Sequence, residues 1–131
     1  MPTQVRPFLM FESRAEEAMR FYVSLFPGAQ VLEDRRWPDG RIMKAAFTIA
    51  GQTVLCTDSP AKHAFTFTPS ISLFVDCQDE AELRRLVAAL SEGGGVLMPL
   101  ADYGFSRLFA WVSDRFGVSW QLNLPHPSPH A

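Results

Sequence analysis

The sequence predicts an α+β fold built from two consecutive strand–helix–strand–strand–strand modules. Three observations carry this. Each half opens with a short β-forming run that leads into a helix start signal. Each helix is followed by three short strand-like runs. Equivalent landmarks recur at one offset: Val5 and Ile71, Ser13 and Asp79, and Gly51 and Gly117 each lie 66 positions apart. Residue identity between the halves is slight, so the repeat is one of structure.

Residues 5–11 (VRPFLMF) read as a buried strand, and Pro7 places it at an edge or at the start of its pairing. Ser13 followed by Glu16 has capping-box spacing and is expected to open the first helix. Ala15, Ala18, Met19, Tyr22 and Phe26 form its apolar stripe, and Pro27-Gly28 stops it. Strands are expected at 30–37, 42–50 and 53–58, joined by turns at Pro38-Asp39-Gly40 and Gly51-Gln52. Residues 59–70 form a linker.

The second module repeats the order. Residues 71–77 (ISLFVDC) are a strand, and Asp79 with Glu82 repeats the capping spacing. Leu83, Leu86, Val87 and Leu90 form a second stripe, ended by Gly93-Gly94-Gly95. Strands follow at 96–100, 107–113 and 118–124, with a loop at Asp102-Tyr103-Gly104. The modules thus span about 5–58 and 71–124, and the proline-punctuated tail 125–131, with His126 and His130, is expected to be disordered.

Composition bounds the function. The 131 residues make one ordinary domain able to bury about two-thirds of its unfolded surface. Twelve Lys and Arg against fourteen Asp and Glu give a net charge of −2, which argues against a nucleic-acid binder. No apolar run reaches the ~18 residues of a membrane span, and the N-terminal residues are not expected to act as a signal peptide. A cytoplasmic protein acting on neither nucleic acid nor membrane is expected. Cys56 and Cys77 read as reduced, buried thiols. Cys77, just before a helix start, is the one with an alternative reading as a nucleophile.

One unit of this kind has a helix on one sheet face and leaves the other bare, so two units can enclose a shared cavity. Alternation along the last strand puts Ser119, Gln121 and Asn123 on one face and Val118, Trp120 and Leu122 on the helix side. The 66-residue offset carries the bare-face row to Thr53, Leu55 and Thr57. These six residues are the candidate binding residues. Such a row is either a solvated outer face or a pocket lining, and buried polar atoms left unsatisfied there cost about 1–3 kcal/mol each. His63 is either a structural histidine or a base at the pocket edge, and Tyr103 either a loop tyrosine or a phenolic donor reaching over the pocket. Trp111 and Trp37 are either core or pocket wall, and Trp111 is assigned to the core. Arg35, Arg36, Arg41 and Lys44 interleave with Glu33, Asp34 and Asp39 and read as a solvated hairpin.

The stretches RPFLMFESRAEEAMRFYVSLFPG (6–28), HAFTFTPSISLFVDC (63–77) and DRFGVSWQLNL (114–124) resemble the PhnB-like, 3-demethylubiquinone-9 3-methyltransferase-like branch of the vicinal oxygen chelate superfamily. That superfamily includes glyoxalase I, the bleomycin- and fosfomycin-resistance proteins and the extradiol dioxygenases. The resemblance implies paired βαβββ modules forming a glyoxalase-like half-barrel cup, with the pocket between them, and a homodimer. It also implies a divalent metal, held by His or Glu from the first and last strands of each module. This chain departs from that pattern: Val5, Arg6, Pro7 and Phe8 occupy the first strand, Ser70, Ile71 and Ser72 open the second module, and Gln121 stands at the usual Glu position. No metal and no cofactor are therefore expected.

Methyl transfer is not expected either, because the only Gly-rich run ends a helix instead of opening one. The expected function is metal-independent binding of a small molecule. The alternative is a lyase- or isomerase-type enzyme acting on a small carbonyl metabolite, with His63 or Tyr103 as proton carrier.

Overall fold

The computed structural model describes residues 2–127. Of the tail expected to be disordered, residues 125–127 have no regular secondary structure, and 128–131, His130 among them, lie outside the described residues. The chain divides into two compact units, Met1–Ala64 and Phe65–Ala131.

The first unit contains β1 (Phe8–Phe11), α1 (Ala15–Leu25), β2 (Gln30–Arg36), β3 (Ile42–Ile49) and β4 (Gln52–Asp58). Its sheet has the order β1-β4-β3-β2, with β1 parallel to β4 and the other pairs antiparallel. Pro7 precedes β1 at the sheet edge, where its missing N–H costs nothing, and its carbonyl accepts from Leu55 N at 2.9 Å. The second unit repeats this with β5 (Leu73–Asp76), α2 (Glu80–Ser91), β6 (Gly95–Ala101), β7 (Leu108–Ser113) and β8 (Ser119–Leu124), in the order β5-β8-β7-β6.

The repeat extends to register. Phe8 pairs with Leu55 and Met10 with Thr57; 66 positions on, Phe74 pairs with Gln121 and Asp76 with Asn123. The β3–β4 turn at Gly51 and the β7–β8 turn at Gly117 both use a positive φ, 82° and 93°, which explains glycine at both equivalent positions.

Each helix covers one sheet face. In α1, Ala15, Ala18, Met19, Tyr22 and Leu25 are buried against β3 and β4, where Phe47, Val54 and Cys56 meet them. In α2, Leu83, Leu86 and Leu90 are buried beside β7 and β8, whose Val112, Trp120 and Leu122 are fully enclosed. Burying side chains of this size contributes about 1.5–3 kcal/mol each.

The two helix starts differ. Asp79 caps α2, its carboxylate accepting from Glu82 N at 2.8 Å, while Glu82 Oε1 accepts from Gln78 N at 2.9 Å. The expected Ser13 cap on α1 does not form: Arg14 occupies the N-cap without a side-chain cap, and the Ser13 hydroxyl donates to the Glu12 carbonyl. Asp58, 43 residues away in sequence, replaces it. One carboxylate oxygen accepts from Ala15 N at 3.0 Å and the other from Ile42 N at 3.0 Å, while the Asp58 carbonyl takes Trp37 Nε1 at 2.9 Å. A carboxylate is well placed here because the helix N-terminus carries partial positive charge. On the outside of α1, Arg36 and then Arg20 hold the Glu16 carboxyl down to about 2, at 2.6 and 2.9 Å. At this exposure the network contributes less than about 1 kcal/mol.

The hairpin cations are paired as the sequence pattern suggested: Arg35 with Glu33, Arg36 with Asp34 and Arg41 with Asp39. Among the described residues no helix is long and apolar enough to cross a membrane.

Asp58 joins three elements from a buried position, so its removal strands two backbone N–H groups. Asp58→Ala is expected to lower the unfolding free energy by about 2–4 kcal/mol in urea titration. An effect below about 0.5 kcal/mol would contradict the role.

Candidate functional site: the helix-free face of the second sheet

Because Trp120 and Leu122 point to α2, Ser119, Gln121 and Asn123 share the opposite face of β8. Register adds their neighbours. Phe74 and Trp111 flank Gln121, and Asp76 and Phe109 flank Asn123. Trp111 therefore does not belong to the helix-side core. It is half-buried on the helix-free face, where its parity in β7 places it.

The polar row is internally bonded. Trp111 Nε1 donates to Ser119 Oγ at 2.8 Å, Ser119 and Ser72 hydroxyls lie 2.6 Å apart, and Gln121 Nε2 donates to Ser72 Oγ at 3.2 Å. Asn123 Nδ2 donates to Asp76 Oδ1 at 2.8 Å, and its Oδ1 accepts from the Ser106 hydroxyl. Ser119, Asn123 and Ser106 are buried, Gln121 is half-buried, and Asp76 is exposed. Among the described residues no buried side-chain polar atom lacks a partner. The row thus avoids the penalty of unsatisfied polar groups without any bound molecule.

Beside the row lies an aromatic cluster. Phe109 is the buried ring of the group; Phe105 meets it edge-on at 4.9 Å, Tyr103 edge-on at 6.1 Å and Phe74 tilted at 6.4 Å. Phe74 and Phe105 are 55% and 59% exposed, an unusual state for rings that belong to a packed group. The Tyr103 hydroxyl donates to the Pro99 carbonyl of β6 at 2.5 Å, and its ring stacks on Phe105.

The equivalent row of the first unit is Thr53, Leu55 and Thr57, all half-buried, with Val54, Cys56 and Asp58 on the helix side. Thr57 Oγ1 donates to the Met43 carbonyl at 2.7 Å. His63 lies in the irregular segment after β4. Its Nε2 is 2.9 Å from Ser59 Oγ, and its backbone N donates to Glu12 Oε1 at 3.2 Å. The Ser59 hydroxyl sits 2.9 Å from the Ala61 carbonyl as well. His63 and Tyr103 belong to different units, Met1–Ala64 and Phe65–Ala131, and each has a local hydrogen-bond partner.

The metal implied by the fold resemblance can be tested against these positions. On the helix-free faces, the first and last strands present Phe8 beside Leu55 and Phe74 beside Gln121. Three of these side chains have no lone pair to donate, and a neutral amide is a weak ligand for a hard or borderline cation. The donor set does not fit a divalent ion, and among the described residues no three His, Cys, Asp or Glu side chains gather to hold one.

Asp76 and Ser106 were not among the candidates drawn from the sequence. Asp76 was detectable: it stands two residues from Phe74 and shares its face, and the 66-residue offset that matches Leu55 to Gln121 also matches Met10 to Asp76.

The thiols are shielded. Burial, with lesser help from Asp58, pushes Cys56 up to about 12, and burial pushes Cys77 up to about 11. Neither is a thiolate near neutrality, so the nucleophile reading of Cys77 has no support. At pH 8 a disulfide-exchange reagent such as DTNB is expected to titrate neither thiol within minutes in the folded protein and both in denaturant. Fast native reaction at either would contradict this burial.

Comparison with known proteins agrees with the fold. Residues 3–123 match the family model described as 3-demethylubiquinone-9 3-methyltransferase. A PhnB protein from Bacillus cereus is 44% identical with a TM-score of 0.90, covering 93% of this chain and 99% of that one. Protein YjdN of Escherichia coli is 23% identical over 94% of this chain and 96% of its own length. A glyoxylase/bleomycin resistance protein/dioxygenase domain from Frankia, at 14% identity and a TM-score of 0.68, covers 96% of this chain and 99% of its own and shares the fold. With a family model spanning nearly its whole length, the chain belongs to the PhnB-like 3-demethylubiquinone-9 3-methyltransferase family.

Proposed function

We propose that this protein is a metal-independent small-molecule-binding protein whose ligand lies against the helix-free face of the second sheet. The observation that carries this reading is the anchoring of Gln121. One N–H of its amide donates to Ser72, while its carbonyl oxygen has no partner among the described residues. An oriented acceptor beside exposed rings, on a network that already satisfies its own buried groups, is a preorganised contact surface. Thr53, Leu55 and Thr57 form the equivalent row of the first unit and are read as a second contact surface.

The reading does not extend to the methyl transfer in the family's name. The Gly93-Gly94-Gly95 run follows the C-terminal end of α2, where the helix dipole is negative, and Gly95 enters β6. A Cβ at Gly94 would come within 2.0 Å of the Ser113 carbonyl, so strand packing is reason enough for glycine there. His63 and Tyr103, the proton carriers of the alternative enzyme reading, are each hydrogen-bonded within a local segment, which favours the binding reading.

A metabolite panel screened by thermal shift, with mass spectrometry of each hit, tests the proposal. A ligand present at 100 times its dissociation constant stabilises by about 2.7 kcal/mol. Hits are expected to be recovered unchanged, and Gln121→Leu is expected to weaken them roughly tenfold, about 1.4 kcal/mol for one lost hydrogen bond. Hits that are chemically converted, or bind Gln121→Leu as well as the native protein, would contradict the reading.

A further inference from the structure

The polarity of the exposed groups on this face narrows the ligand. Asn123 Nδ2 donates to Asp76, the Ser106 hydroxyl to Asn123 Oδ1 and Trp111 Nε1 to Ser119, so these donors are used within the face itself. The acceptors left unused on this face are the Gln121 carbonyl oxygen and the exposed Asp76 carboxylate, which alone carries a charge. Asp76 forms no ion pair with any described cation, and Asn123, only 7% exposed, fixes one of its oxygens at 2.8 Å. Asn123 is itself held by buried Ser106, so the carboxylate is oriented by two enclosed side chains.

Two residues before Asp76, on the same face, Phe74 presents a 55% exposed ring. Same-face neighbours along a strand lie about 6.5–7 Å apart. Resting on the binding role proposed above, we propose that this face takes a cationic amine with an aromatic ring a few bonds from the nitrogen. The ammonium pairs with Asp76 and donates to the Gln121 carbonyl, while the ring lies against Phe74 and Phe105. Charge complementarity selects the occupant: an anion would meet an uncompensated carboxylate, and a neutral ring would leave that carboxylate without its partner.

Isothermal titration at pH 7.5 with three isosteric probes tests this: 2-phenylethylamine, 2-phenylethanol and phenylacetate. The amine is expected to bind at least tenfold more tightly than the alcohol, with phenylacetate weakest. Asp76→Asn keeps an acceptor for Asn123 Nδ2 and should preserve the fold, yet is expected to reduce the amine's affinity to that of the alcohol. Phe74→Leu keeps the charge and is expected to weaken amine and alcohol together. Phenylacetate binding as well as the amine, or unchanged amine affinity in Asp76→Asn, would overturn the assignment. If no probe binds while another metabolite binds in a Gln121-dependent way, the amine assignment falls and the binding role stands. If neither the probes nor the metabolite panel binds, both fall.

Discussion

A four-stranded sheet with one helix can hide only one of its faces, and the rest of this structure follows from that constraint. Along β4 and β8 the period-two alternation sends Val54, Cys56, Trp120 and Leu122 under the helices. It sends Thr53, Leu55, Thr57, Ser119, Gln121 and Asn123 to the other side. The uncovered face must then be either solvated or internally bonded. In the second unit it is bonded, from Trp111 through Ser119 and Ser72 to Gln121, and from Ser106 through Asn123 to Asp76. The groups this network leaves unused are a carbonyl oxygen, an exposed carboxylate and several exposed rings.

Buried carboxylates give both units the rigidity this requires. Asp58 holds the start of α1 and the start of β3 from the end of β4. In the second unit, Asp114 accepts from Phe116 N and Val118 N across the β7–β8 turn, and from Trp120 Nε1 at 2.9 Å. The two residues are not equivalent in the repeat, yet each spends both oxygens on donors that would otherwise be stranded. A carboxylate with several well-placed N–H partners tolerates burial because the hydrogen bonds replace its hydration.

Much of this was legible in the sequence. Strand bounds fell within a residue or two at most ends because β-forming runs are punctuated by Gly and Pro turns. The 66-residue offset carried sidedness correctly from β8 to β4, since the β1–β4 and β5–β8 pairings keep that offset. The α1 cap was misread because its partner lies 43 residues away, where no spacing rule reaches, and a local Ser13 satisfied the motif without using it. The core assignment of Trp111 fails because it alternates with Ala110 and Val112, both enclosed, which puts its ring on the other face. Asp76 belongs to no spacing motif in the sequence. A lone carboxylate beside a phenylalanine gains meaning only when Asn123 and Ser106 are seen behind it.

The central claim is that the helix-free face of the second sheet is where this protein meets its ligand. NMR with ¹⁵N-labelled protein reads that face directly, because the Trp111 indole N–H and the Gln121 and Asn123 side-chain amides give their own signals. On titration with a confirmed ligand, those signals and the Phe74 and Asp76 amides should shift most. Shifts confined to the outer surfaces of α1 and α2, or to the 36–41 turn, would contradict the account.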